Sequence, residues 1–259
     1  MSNQLPDLVV PEISDLSPEI AALAARYRRA NGPVIGIMNR LGGSLEAQLG
    51  VVPQALREQI DRAAAAALEK AHDLAAQGRR APSLGRQGPL AAAVLSGIAG
   101  GAGGIASALA ELPVTVTVML HAIRREAQAA GYDPDDPAIR AECLAVFGAG
   151  SPLAADDGVN TAFLSARLTL TGPAIQRVIA VVAPRLGIAM GQKLAAQSVP
   201  VIGAVTGAAM NAAFLHYYRE VAAIRFALLR LAEVHGPAQV SAAFASAAEP
   251  APVKTAARG

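Results

Sequence analysis

The chain has 259 residues, 53% of them apolar, an aromatic share of only 3% and a formal net charge of +2. So small a charge gives no reason to expect nucleic-acid binding, which clustered Lys/Arg drive, and a single cysteine, Cys143, excludes an intramolecular disulfide. An alanine-rich, aromatic-poor composition favours helices with thin, close interfaces, because alanine loses no rotamer entropy in a helix.

In chain order, residues 1–16 carry Pro6 and Pro11 without a helical period and read as an extended arm. They show no basic segment followed by an apolar one, so the expected location is cytoplasmic. Ser17-Pro18 reads as a cap with proline in the first turn, opening a helix that stops at Gly32. A short helix follows Pro33 and ends at Gly42-Gly43. Pro53 to Gln77 gives the clearest helix: Leu56, Ile60, Ala63, Ala67, Leu68, Ala71 and Leu74 recur at three-to-four spacing. The loop 78–88, rich in Pro, Gly and Arg, marks a sub-boundary.

Next comes an Ala/Gly block without charge between Arg86 and Glu111. Gly97/Gly101 and Gly100/Gly104 are spaced by four, which puts glycines on one helix face and lets a second helix approach. Pro113 is expected to restart the helix after Glu111-Leu112. Val114 to Val118 alternates like a strand, but the uninterrupted run to Gly131 favours a helix. Asp136 before Pro137 caps a helix through Gly148, and Ser151 to Asp157 reads as a turn. A helix then ends near Gly172-Pro173, and another follows with an interruption at Pro184. The stretch 199–236 repeats the plan of the Ala/Gly block: a small-residue front with Gly203/Gly207, then a charged amphipathic rear. Residues 237–259, rich in Ala, Ser and Pro, are expected to form a disordered tail. The fold class is therefore all-α: a multi-helix bundle, a single domain over 17–236, around two close-packed Gly/Ala-rich helices.

No motif supplies a reaction. Gly101 to Gly104 lacks the Lys-Ser/Thr of a phosphate loop. Asp133, Asp135 and Asp136 lack calcium-loop spacing and are explained by turn formation and capping. His72, His121, His216 and His235 form no metal-binding pair, and Cys143 sits in an apolar helical context as a buried small hydrophobe. The expectation is a non-enzyme with no cofactor and no metal. Gln87–Ala110 and Leu194–Leu215 are long enough to span a bilayer, but Gly and Ala insert poorly, so a soluble or peripheral protein is favoured over a helical hairpin in the membrane.

Gly100-Gly101-Ala102-Gly103-Gly104, Glu111-Leu112-Pro113, Arg124, Gly131-Tyr132-Asp133-Pro134, and Val199-Pro200-Val201-Ile202-Gly203 through Gly207 to Asn211 together resemble the EcsC family of bacterial proteins. The likeness spans roughly residues 45–236. It departs at Glu111, where the family is expected to carry Asp, and a longer carboxylate can still cap or pair. The resemblance implies an accessory role, since the family is named for a protein encoded beside an ABC transporter, and it transfers no catalytic residue. The matched positions fix backbone and packing, and the interaction residues expected are Gly97, Gly100, Gly101, Gly104, Glu111, Pro113, Arg124, Asp133, Gly203, Gly207 and Asn211. Arg124, Arg125 and Arg219 are expected to face polar partners or headgroups. The partner expected is a membrane protein or the inner face of the cytoplasmic membrane; the alternative is an apolar ligand, such as a lipid, held between the glycine-rich helices.

Overall fold

The computed structural model describes residues 16–30, 54–77, 104–149, 163, 164, 168, 175–197 and 203–248, with helical backbone only at 56–57, 74–77, 104–110, 192–197 and 203–207. Among these residues there are seven α-helices and no strand: α1 (Leu16–Ala30), α2 (Gln54–Gln77), α3 (Gly104–Ala129), α4 (Pro137–Ala145), α5 (Ile175–Gln197), α6 (Gly203–His235) and α7 (Pro237–Ala248). A 3₁₀ turn, Val146–Ala149, extends α4. The all-helical bundle expected from composition is the observed architecture.

α6 is the axis. It packs on α1, α3, α5, α7 and the 3₁₀ turn, and its buried residues, among them Met210, Phe214, Tyr218, Phe226 and Leu229, cover more than half of its circumference. A helix with so wide an apolar face is one that neighbours must enclose on most sides. The few aromatics are not spread thin. Among the four tyrosines and five phenylalanines, Phe147, Phe214 and Tyr217 ring Tyr218, with centroids 5.0, 6.3 and 5.2 Å from it. Burial alone pushes the Tyr218 phenol well above its ordinary pKa, as expected for a ring that titrates only on unfolding.

α2 lies between α3 and α5. Its buried positions Ile60, Ala64, Ala67, Leu68 and Ala71 follow the spacing read from sequence. The closest glycine-mediated approach among the described residues is here, on α5. A Cβ at Gly187 would lie 3.4 Å from Asp61 Cα, and one at Gly191 would meet Ile60 Cδ1 at 3.7 Å. These two glycines have the same four-residue spacing as those at 97/101 and 203/207, which lie outside the described side chains. Arg185 and Lys193 flank them in the sequence, so this pair lacks the uncharged surroundings of the other two.

Three expectations change. Pro113 lies inside α3 and does not restart it; Pro184 likewise lies inside α5. Each proline forfeits one backbone hydrogen bond, but Leu112, Val116, Met119 and Ile123 on α3, and Val182, Leu186 and Met190 on α5, are buried on either side and hold the helices through. Thr117 Oγ1 also donates to the Pro113 carbonyl at 2.7 Å. The third correction is the tail. Residues 237–248 form α7, not a disordered segment, while 249–259 lie outside the described residues. Gly236, at φ 89°, ends α6 by donating its N–H to the Ala232 carbonyl, and Pro237 starts α7 at once. That is the glycine stop and proline start of consecutive helices. Val240, Phe244 and Ala248, four residues apart, bury one face.

Other punctuation was legible. Gly131, at φ 91°, closes α3: its N–H bonds the Gln128 carbonyl and that of Tyr132 bonds the Ala127 carbonyl, a Schellman pair. Asp136 caps α4 by accepting from the N–H groups of Ala138 and Ile139, and Asp133 Oδ1 accepts from the Asp135 N–H at 2.9 Å. The acidic cluster is turn and cap.

Candidate functional site

An open groove of about 820 Å³ runs between α1, α3 and the C-terminal half of α6. Its α6 side is formed by Ala223, Ala227, Leu231 and Val234, its α1 side by Ala22 and Leu23, and its α3 side by Ala129 and Ala130. The groove exists because these residues are small: three helices meet at positions where alanine leaves the space a longer side chain would fill. Ala223, Ala227 and Leu231 recur every four residues, so their ridge follows α6 for about 12 Å, or roughly two helical turns.

Charged and titratable side chains line the rim: Glu19, Arg26, Glu126, Arg230, Glu233 and His235. Three of them brace the walls. Arg26 holds Glu220, with Nη2 donating to Oε1 at 3.1 Å, which ties α1 to α6. Arg219 donates to Glu126 Oε1 from Nε and Nη2 at 3.0 and 2.9 Å, which ties α6 to α3. Tyr132 Oη donates to Glu233 Oε1 at 2.8 Å. The Arg26 hydrogen bond keeps the Glu220 carboxyl below its ordinary range against the opposing effect of burial, and the same bond raises Arg26. Burial, then the Glu233 hydrogen bond, drives the Tyr132 phenol above its usual range, so it serves as a neutral donor.

The expected interaction residues divide. Glu111 and Asn211 meet at the seam of α3 and α6. Asn211 Nδ2 and Thr115 Oγ1 both donate to Glu111 Oε1 at 2.6 Å. Asn211 is fully buried and Glu111 only 8% exposed. This polar knot inside an apolar bundle fixes the register of the two helices, because sliding either one would strand buried polar atoms. Arg124 pairs with Asp135 at 2.6 Å and Arg219 with Glu126 at 2.9 Å, while Arg125 is exposed. Gly97, Gly100 and Gly101 lie outside the described residues; Gly104, Gly203 and Gly207 are described in backbone only.

Sequence reading missed Arg225. It is 4% exposed; Nε and Nη2 reach the Glu142 carboxylate at 3.2 and 3.5 Å, and Nη1 reaches the Phe163 and Leu164 carbonyls at 3.4 and 3.3 Å. The guanidinium also lies 5.4 Å from the Phe163 ring centre, within cation–π range. A lone Arg between Ile224 and Phe226 was the available signal. Burial pushes the Cys143 thiol up to about 12, so it is the inert hydrophobe expected. Among the described residues, no group of three His, Cys, Asp or Glu side chains could hold a metal ion, and no helix is long and apolar enough to cross a membrane. The stretches 87–103 and 198–202, parts of the two uncharged segments, are outside those residues.

Fold and site define a helical bundle wrapped around one axial helix, with an alanine-floored groove on one side. The chain belongs to the EcsC protein family, which it matches over residues 46–231. Neither a curated protein nor a solved structure matches it. The matched span takes in α2 to α5 and most of α6, whereas α1 and α7 lie outside it. One wall of the groove therefore comes from beyond the matched span.

Proposed function

We propose that the protein is a non-enzymatic accessory factor whose groove receives a helix from a membrane-bound partner of the ABC-transporter type, at the cytoplasmic face. The observation that carries this reading is the alanine floor. Ala223 and Ala227, flanked by Ala22 and Ala129, form a trough into which the ridge of an incoming helix fits. Rim charges of both signs would set its orientation, and the bracing ion pairs hold the trough open before the partner arrives, which lowers the ordering cost of binding. The membrane-bound character of the partner rests on the family's association with a transporter locus.

The groove volume supports a second reading, an apolar ligand in place of a helix, because about 820 Å³ lies in the usual range for small-molecule sites, roughly 300–1,000 Å³. One experiment separates the two. A photocrosslinking amino acid at Ala227, activated in the native host, should yield a crosslinked peptide from a membrane protein, and Ala223→Leu in the same chain should abolish it without changing Tm. Crosslinks confined to lipid would give the ligand reading the field. A peptide adduct that Ala223→Leu leaves intact would place the docking surface elsewhere.

A further inference from the structure

α5 presents an outward stripe that the groove does not explain. Val181 is 61% and Ile188 59% exposed, and Pro184 between them is exposed as well. With Arg177, these residues fall within roughly 60° of one another around the helix at 100° per residue. The opposite side of α5 buries Val178, Ile179, Val182, Leu186 and Met190 against the bundle, so the stripe is the side turned away from the core. α5 contains Arg177, Arg185 and Lys193 and no acid in its 23 residues. Arg185, exposed beside the stripe, spends one N–H on the Gly148 carbonyl at 2.9 Å and keeps its charge at the surface. Asp61 of α2 sits at the seam beside Gly187, roughly 100° round the helix from Ile188.

We infer that this face of α5 docks on an anionic lipid surface. Large aliphatic side chains exposed in a row, on a helix whose own charges are all cations, match the layered chemistry of a bilayer interface: acyl chains below, phosphates above. Val181 and Ile188 would enter the acyl boundary, Arg177 and Arg185 would meet phosphates, and α5 would lie parallel to the membrane. The inference does not depend on the groove, which is built from α1, α3 and α6.

The test is flotation of the full chain with phosphatidylcholine vesicles, with and without phosphatidylglycerol. Binding should require phosphatidylglycerol and weaken as salt rises. Val181→Asp with Ile188→Asp should abolish it at unchanged helicity and Tm, since both positions are exposed. Arg177→Gln should weaken it by about fivefold, the contribution of one cation near an anionic leaflet. Absence of flotation on either vesicle, or flotation that the double aspartate variant leaves untouched, overturns the inference. So does a concentration-dependent dimer, removed by that variant, without vesicle binding; the stripe would then be a contact between two copies. Ala223→Leu, which fills the groove, should leave flotation unchanged.

Discussion

Two regions of this molecule are held together by different physics. The family-matched body, α2 to α6, is locked from inside: the Glu111–Asn211 knot, the Arg225–Glu142 pair and most of the aromatic rings lie within it. The terminal pair, α1 and α7, packs on the outside of α6. Its ring contact is Tyr27 against Phe244, edge to face at 6.2 Å. Its polar ties, Arg26–Glu220 and Arg28 to the Ala247 carbonyl at 2.8 Å, are partly or fully open to water, where such pairs contribute little. The body is over-determined and the terminal layer is an addition. The groove lies where they meet, so its shape depends on the weaker region.

The sharpest break in that contrast is at Arg225. Arg225→Ala leaves the Glu142 carboxylate, only 13% exposed, without its cation, and should cost about 3–5 kcal/mol in chemical denaturation. Arg225→Met together with Glu142→Leu should recover most of the loss, because no charge is then left stranded. A loss below about 1 kcal/mol for the single variant would mean the body is not locked where the geometry places its lock.

Tyr27→Ala probes the other region, and a loss of about 3 kcal/mol is expected for a ring that is almost fully buried. Its distribution is the point. Hydrogen exchange should quicken at residues 16–30 and 237–248 while the amides of α2 and the middle of α6 keep their protection. Uniform loss of protection across the chain would show one cooperative unit and remove the distinction between body and layer. Occupancy of the groove should fall in the same variant, since Ala22, Leu23 and Arg26 ride on α1.

Sequence legibility follows the same divide. The body could be read because its signals are local: the spacing of Ile60 to Ala71, the stop at Gly131, the cap at Asp136. The continuity of α3 through Pro113 could not, because burial on both sides outweighs a broken hydrogen bond only in the folded molecule. α7 was misread because Ala, Ser and Pro dominate its composition, although Gly236-Pro237 and the four-residue spacing of Val240, Phe244 and Ala248 were present. Of the site, Glu111 and Asn211 were legible as singular polar residues in apolar runs, but not their meeting, which joins positions 100 residues apart. The groove was invisible for a plainer reason. An alanine that lines a trough and one that fills a core look the same until three helices are in place.

Acid should separate the two regions by the smallest effects, and by sign these act in sequence. His72 on α2 is held below the ordinary imidazole pKa by burial and then by Arg140, whose Nη2 lies 3.3 Å from its Nε2. His121 on α3 is lowered by burial, then by Arg125 and Arg124. A histidine with a depressed folded pKa contributes its full stability above the unfolded value, about 6.5, and loses it as pH falls through the folded value. The body should therefore weaken first, between neutrality and mildly acid pH. Glu220 follows the same rule from a lower start: the Arg26 hydrogen bond holds its folded pKa below the ordinary glutamate range, so the tie to α1 persists until the pH falls below that range. Each step should be a fraction of a kcal/mol after solvent screening, small enough that exchange rates will resolve it better than a melting curve. Replacing His72 and His121 by Gln should flatten the first step and leave the second, because protonation of Glu220 acts only on the hold between α1 and α6. If α1 loosens in the first step and that loosening vanishes with the histidines, the terminal layer is coupled to the body through α6, and the groove would respond to pH in the neutral range.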